Sequence, residues 1–349
     1  MPNHCSRAAR ALPRALAAVL FTLWSSTGAA QGSAARRWLP PLQQTATIDG
    51  SSGRELNDPQ LLGTTSDGKI VVFDMGDLEL RAFSATGKEL WTFGRKGSGP
   101  GEFRGALDLK PVGSSDIAVY DASLARLTIV TGAGQLRTTA RVAVEGTALI
   151  PVDAGKAFGI TPHDRQTLWR SVYPAGTARE EALPTATRVA EPLLRTNFAA
   201  GAGGTGAVVT FMWSDAVLLL DGNGAVRKVI AGPEPVPFPR TLSVPTKIPG
   251  ISDAVVTRIE PKATRGALAV AATSTRVFVL FGGATADRGR LIDEYELSTG
   301  RYLGSRRLPD RAMAIAALPD NRLVTMHDDP LPQVRVWSQA PSAASHPRF

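Results

Sequence analysis

The chain of 349 residues carries 39 Lys and Arg against 31 Asp and Glu, a formal charge of +8, with a single cysteine. One thiol excludes a disulfide framework, and Cys5 lies so close to the start that no thiolate metal site or cysteine nucleophile is expected in the body of the protein. The positive excess is scattered, which supports weak attraction to anionic surfaces or acidic polymers and not a nucleic-acid interface.

Residues 1–30 have the three parts of a secretory signal. Arg7, Arg10 and Arg14 form a basic start, Ala15 to Trp24 is an apolar core too short for a lasting anchor, and small residues follow at Gly28 and Ala30. Cleavage near Ala30 would leave Gln31 as the new terminus. No later run reaches the roughly 18 to 20 uncharged apolar residues of a membrane span, so a periplasmic or secreted product without a transmembrane anchor is expected. Residues 31–44 read as a linker.

From there the chain repeats itself. Ile70 to Leu90 aligns without a gap on Ile117 to Arg137 at a spacing of 47, matching Val72 with Val119, Asp74 with Asp121, Leu80 with Leu127 and Gly87 with Gly134. Each copy reads as strand, polar loop, strand, glycine turn, strand, the pattern of a hairpin-built sheet. Weaker copies begin at Lys156, Ala207, Arg276 and Arg322. Short apolar runs ahead of them, such as Leu61 to Ser66, Leu107 to Val112, Ala267 to Ala272 and Ala314 to Leu318, supply an inner strand to each unit. Six units of about four strands predict an all-β, six-bladed β-propeller over residues 45–338. The last copy lacks its outer strand, and Thr45 to Gly50 is the segment free to complete it, which would close the ring without a covalent bond. Residues 231–265 hold too many prolines to pair inside a blade and read as a long excursion between blades four and five. Residues 339–349 read as a disordered tail.

Phe93 to Phe103 (FGRKGSGPGEF), followed by the strand Ile117 to Asp121 and its glycine turn, resembles the NHL-repeat propellers, whose blades open on a glycine-rich stretch and run on through a strand ending in Asp. The family's Asn-x-Arg is represented by Arg126 alone. A phosphate-cradling reading of the same glycines lacks the helix and the Lys-Ser or Lys-Thr that such a loop requires. Asp74 and Asp121, at equivalent strand ends, are expected to accept backbone N–H groups of the adjoining tight loop.

In a propeller, the loops from second to third strand and from one blade to the next emerge at the same end. That end is expected to gather Arg95, Lys96, Glu102, His163, Asp164, Arg165, Trp213, Phe238, Arg240, His327, Asp328 and Asp329. His163 and His327 occupy equivalent places in blades three and six, with acidic neighbours that would suit a metal, although the width of the ring separates them. No G-x-S-x-G elbow or H-E-x-x-H pair is present, so no catalytic residue is assigned. The residues favour a non-catalytic module, without a cofactor, binding a protein, peptide or glycan. The competing reading is a lactonase-like hydrolase or lyase holding one Ca²⁺ or similar ion, for which Asn197 is the single attractive ligand.

Overall fold

A computed structural model describes residues 36–51, 53–113, 115–141, 148–153, 156–162, 167–173, 177–182, 197–201, 206–221, 225–237, 239–246, 255–283 and 286–339, with backbone alone over 148–201. The expected signal lies outside these residues, and so does the expected tail except for its first residue, Gln339, which ends the last strand instead. Strand β1 (Leu42–Ile48) is followed by four antiparallel four-stranded sheets. They are β2 to β5 (Pro59–Thr64, Ile70–Asp74, Glu79–Phe83, Glu89–Phe93) and β6 to β9 (Ala106–Val112, Asp116–Asp121, Arg126–Val130, Leu136–Arg141). Next come β10 to β13 (Ala148–Asp153, Lys156–Pro162, Thr167–Tyr173, Thr177–Ala182) and β14 to β17 (Asn197–Gly201, Gly206–Phe211, Ala216–Asp221, Val226–Ala231). A separate ribbon, β18 (Thr241–Pro245) with β19 (Val255–Ile259), precedes the sheet β20 to β23 (Arg265–Ala272, Arg276–Gly283, Leu291–Glu296, Tyr302–Arg307). Finally β24 (Ala314–Ala317), β25 (Leu323–His327) and β26 (Gln333–Gln339) form a sheet whose fourth strand is β1. Among the described residues the one helical element is a single 3-10 turn, Ala122–Leu124, and no helix is long and apolar enough to cross a membrane.

The first strands of the sheets touch in cyclic order, β2 with β6, β6 with β10, β10 with β14, β14 with β20, β20 with β24, and β24 with β2 again. This is the propeller arrangement, with the first strands innermost. A middle strand is covered on both faces by neighbouring blades, so its sequence is a continuous apolar run: all of β3 and β7 is buried. Successive side chains point to opposite faces. Val71 and Phe73 therefore pack on Leu109, Ile117 and Val119 of the next blade, while Ile70 and Val72 pack on Val324, Met326 and Val334 of the last.

The 47-residue repeat extends to single hydrogen bonds. Asp74 accepts from the backbone N–H of Asn57 and Asp58, both at 2.8 Å, and of Gly76 at 3.1 Å. Asp121 accepts from Arg104 at 2.7 Å, Gly105 at 3.1 Å and Leu124 at 3.1 Å. Each carboxylate thus ties the loop after its strand, as expected, and also the chain arriving from the preceding blade. Both carboxylates are wholly buried. The turn glycines Gly87 and Gly134 hold φ of 91° and 76°, which favours residues without a Cβ.

The ring closes through β1 and β26, paired from Leu42 opposite Gln339 to Ile48 opposite Val334. The strand starts three residues earlier than Thr45, and the expected linker is not a free tether. Trp38 bridges Ser305 in parallel register on the edge of β23, and backbone bonds join Leu39 N to Ser305 O (2.9 Å) and Ser305 N to Arg37 O (2.7 Å). Arg36 bonds the buried Asp293 and lies 4.4 Å above the Phe281 ring, also reaching Ser305 and Glu234 at 3.1 Å. The Arg306 guanidinium, itself paired with buried Glu294, donates to the Pro40 carbonyl. Within the proline-rich excursion, β18 and β19 pair with each other apart from the four-stranded sheets. Prolines disfavour insertion into a blade, and a two-stranded ribbon asks less of them.

Asp74→Ala or Asp121→Ala removes the charged acceptor of three backbone amides, and each is expected to lower stability by about 3 kcal/mol, read as a lowered midpoint in urea unfolding. Arg36→Ala strands the Asp293 carboxylate and should cost about 3 kcal/mol at pH 7.5. Burial already pushes the Asp293 carboxyl up, against the pull of Arg36 and Ser305. Without Arg36 the folded state holds the proton at higher pH than the unfolded chain, so the loss relative to the parent should shrink at pH 5.

Candidate functional site

The glycine-rich crossing from β5 to β6 is a self-contained clamp. Glu102 accepts from Ser98 N at 3.0 Å and Gly99 N at 2.8 Å, and pairs with Arg95 at 2.9 Å. These bonds hold its carboxyl below the usual range. Arg126 donates to the carbonyls of Ser98 and Gly99, both at 2.9 Å, and to that of Glu102. Phe103 anchors the loop, edge-on to Phe73 at 5.2 Å and Phe93 at 6.2 Å. The amides that a phosphate would need are taken by Glu102, so neither that carboxylate nor the loop is free to receive a ligand. Arg95 and Lys96 remain exposed beside it.

His327 is a correction to its reading as a ligand-facing residue. It ends β25 with no exposed surface. Its Nδ1 lies 2.7 Å from the Arg311 carbonyl and its Nε2 2.7 Å from Thr325 Oγ1, which also accepts from Trp337 Nε1 at 2.7 Å. The chain of donors assigns the neutral tautomer with the proton on Nδ1: indole to hydroxyl, hydroxyl to Nε2, Nδ1–H to carbonyl. The strand-end place that Asp74 and Asp121 hold in blades one and two is thus held here by a histidine, and it again ties the chain arriving from the preceding blade. His163, Asp164, Arg165 and Phe238 lie outside the described residues.

Trp213, Arg240, Asp328 and Asp329 are among the described residues. Trp213, in the β15–β16 loop, carries the Arg265 guanidinium 5.5 Å from its ring centre. Arg240 is exposed at the foot of the β18–β19 ribbon, which Glu260 N to Arg240 O (3.0 Å) continues. Asp328 and Asp329 stand on the β25–β26 hairpin at a cleft of about 550 Å³, facing Arg290, Asp310, Arg311 and Arg335. Two arginines of this cleft are occupied: Arg335 pairs with Asp310 at 2.6 Å, and Arg290 donates to the Pro309 carbonyl at 2.6 Å. Arg311, Asp328 and Asp329 are exposed and make no ion pair among the described residues.

Sequence reasoning passed over a row of arginines here. Arg104 and Arg265 stand in identical Arg-Gly-Ala-Leu runs at the heads of the inner strands β6 and β20, and Arg311 precedes β24 in the same way. Both Arg-Gly-Ala-Leu heads carry a bulge at the same place, between Ala106 and Asp108 and between Ala267 and Ala269. The repeated tetrapeptide was the available signal. Among the described residues no three His, Cys, Asp or Glu side chains gather as a metal would require.

No protein-family model matches the chain, and no curated protein matches it in sequence. The fold is similar to that of an exported protein of Bacteroides fragilis NCTC 9343, with a TM-score of 0.54 and 11% identity over 86% of this chain and 95% of that one. Streptogramin B lyase (TM-score 0.47, 12% identity, 86% and 97% covered) and the Swd1 β-propeller domain of Myceliophteria thermophila (TM-score 0.47, 10% identity, 86% and 100% covered) are more distant. At these identities the likeness concerns the fold alone.

Burial pushes the His327 imidazole below its ordinary pKa, so the folded state keeps it neutral where the unfolded chain takes a proton. Stability is therefore expected to fall as pH drops below about 6.5 and to level off below the folded value. His327→Asn should be less stable at pH 7.5 and show a flatter stability profile between pH 7.5 and 5, measured by denaturant unfolding at each pH.

Proposed function

We propose that this protein is an exported, non-catalytic binding module, a six-bladed propeller with NHL-like first blades, whose mouth-side loops receive a protein, peptide or glycan. The observation that carries the reading is the cleft between the β23–β24 connection and the β25–β26 hairpin. Its volume, about 550 Å³, falls in the range of about 300–1,000 Å³ usual for ligand sites, and Arg311, Asp328 and Asp329 enter it with their charges uncommitted. A rigid ring holds these loops while leaving their sequences free to suit a ligand. Charges of both signs at one cleft favour a partner with several polar groups over an apolar one.

Fluorescently labelled mature protein would be applied to glycan and peptide arrays and the hits titrated in solution. The Asp328→Ala/Asp329→Ala double variant and Trp213→Ala are each expected to weaken a hit at least about tenfold, or 1.4 kcal/mol, with the unfolding midpoint unchanged for the double variant. Binding is expected to persist in excess EDTA, since no resident ion is assigned. Hits that bind both variants as tightly as the parent would overturn the reading, as would turnover of a lactone or ester that stops on chelation.

A further inference from the structure

We propose that the mouth-side heads of blades five and six form a receptor for a small oxyanion, a carboxylate, sulfate or phosphate group, held by Arg265, Arg288 and Arg311. The proposal rests on the reading of this end as a binding face and names the chemistry of part of its ligand. Arg265 opens β20, where it pairs with Gly283, and Trp213 supports its guanidinium from one side. Arg288 lies in the β21–β22 connection, its backbone N 3.9 Å from where a Cβ on Gly283 would sit. The next residue, Gly289, is bonded through its carbonyl to Ala312 N at 2.8 Å and packs against the Arg311 side chain. The backbone therefore sets Arg288 between the other two arginines.

Three like charges on adjoining loops repel one another, although Arg311 shares its cleft with Asp328 and Asp329. None of the three has an acidic partner among the described residues, whereas Arg290, Arg307 and Arg335 nearby each have an acceptor. The Arg288 Nε is buried without a hydrogen-bond partner, an unfavourable state for a donor removed from water. Burial together with Arg265 and Arg311 holds the Arg288 guanidinium below its ordinary pKa. An oxyanion would answer all of this at once: guanidinium forks match carboxylate, sulfate and phosphate oxygens, and a negative charge relieves the repulsion. The glycine-rich crossing of blade one, by contrast, has its own carboxylate in Glu102 and needs no anion from outside.

The test is calorimetric titration of the mature protein with sodium phosphate, sulfate and citrate at constant ionic strength, chloride serving as the reference. At least one of these is expected to bind saturably, and Arg288→Met and Arg311→Gln should each weaken it tenfold or more. Arg301→Gln, in the β22–β23 turn at the far end of blade five, should leave it unchanged. Without ligand, Arg288→Met should melt about 2 °C higher than the parent, because it removes a repelled, unsatisfied group. Phosphate or sulfate binding alone would identify a tetrahedral ligand, and citrate binding alone a carboxylate. Absence of binding for all three, or equal binding by both arginine variants, would overturn the proposal. If array hits were still lost in the Asp328→Ala/Asp329→Ala variant, the binding face itself would stand without it.

Discussion

The whole ring depends on one antiparallel pairing between the two ends of the chain. Strand β1 supplies the fourth strand to a sheet whose other three come from residues 314 to 339, and the bond from Thr45 to the Val336 carbonyl spans 291 positions. Strands such as β3 and β7 are buried along their whole length only because neighbouring blades cover both faces. With β1 absent, β26 would be an open edge, and Ile48 would leave the cluster it shares with Ile70 and Val324. Closing so long a loop costs entropy that grows only slowly with its length, and the apolar surface gathered at the closing seam offsets it.

Within the ring, the blades are tied by buried polar latches. Asp74, Asp121 and His327 end the second strands of their sheets, and each bonds the backbone that arrives from the blade before. A carboxylate accepts amides, while the neutral imidazole donates to a carbonyl, so the incoming backbone presents opposite groups in the two cases. These latches set where the mouth-side loops begin. The arginine heads Arg104 and Arg311 adjoin latch bonds directly, so the row of cations is positioned by the same contacts that hold the blades in step.

The blades were legible because their physics is periodic: two-residue alternation, a turn glycine and a terminal Asp recur 47 residues apart, and the closing strand showed as a gap in the last copy. The strap at Arg36 to Pro40 was not legible. Its partners, Asp293, Ser305 and Arg306, are some 260 residues away, and no local pattern in a stretch such as Arg-Arg-Trp-Leu-Pro announces them. The ribbon β18–β19 escaped because its prolines argue against a blade but not against a pair of isolated strands. At the mouth, composition misjudged individual side chains. His327 looked like a ligand because histidines often are, although its place in the repeat matched a buried Asp. Glu102 looked free because its amide partners are backbone. The Arg-Gly-Ala-Leu runs were in plain view, but one of them begins a blade that otherwise aligns poorly.

The direction of the closing strands also decides how the molecule would yield to tension. Leu42 lies opposite Gln339, so the two ends of the chain leave the seam side by side. A force drawing the termini apart would load the ladder one rung at a time, as a zipper opens, and not across all its hydrogen bonds together. The parallel bridge of Trp38 to Ser305 and the Arg36 anchor lie upstream of that ladder on a different sheet. They would take the strain first, making a structural accessory of blade five the mechanical guard of blade six.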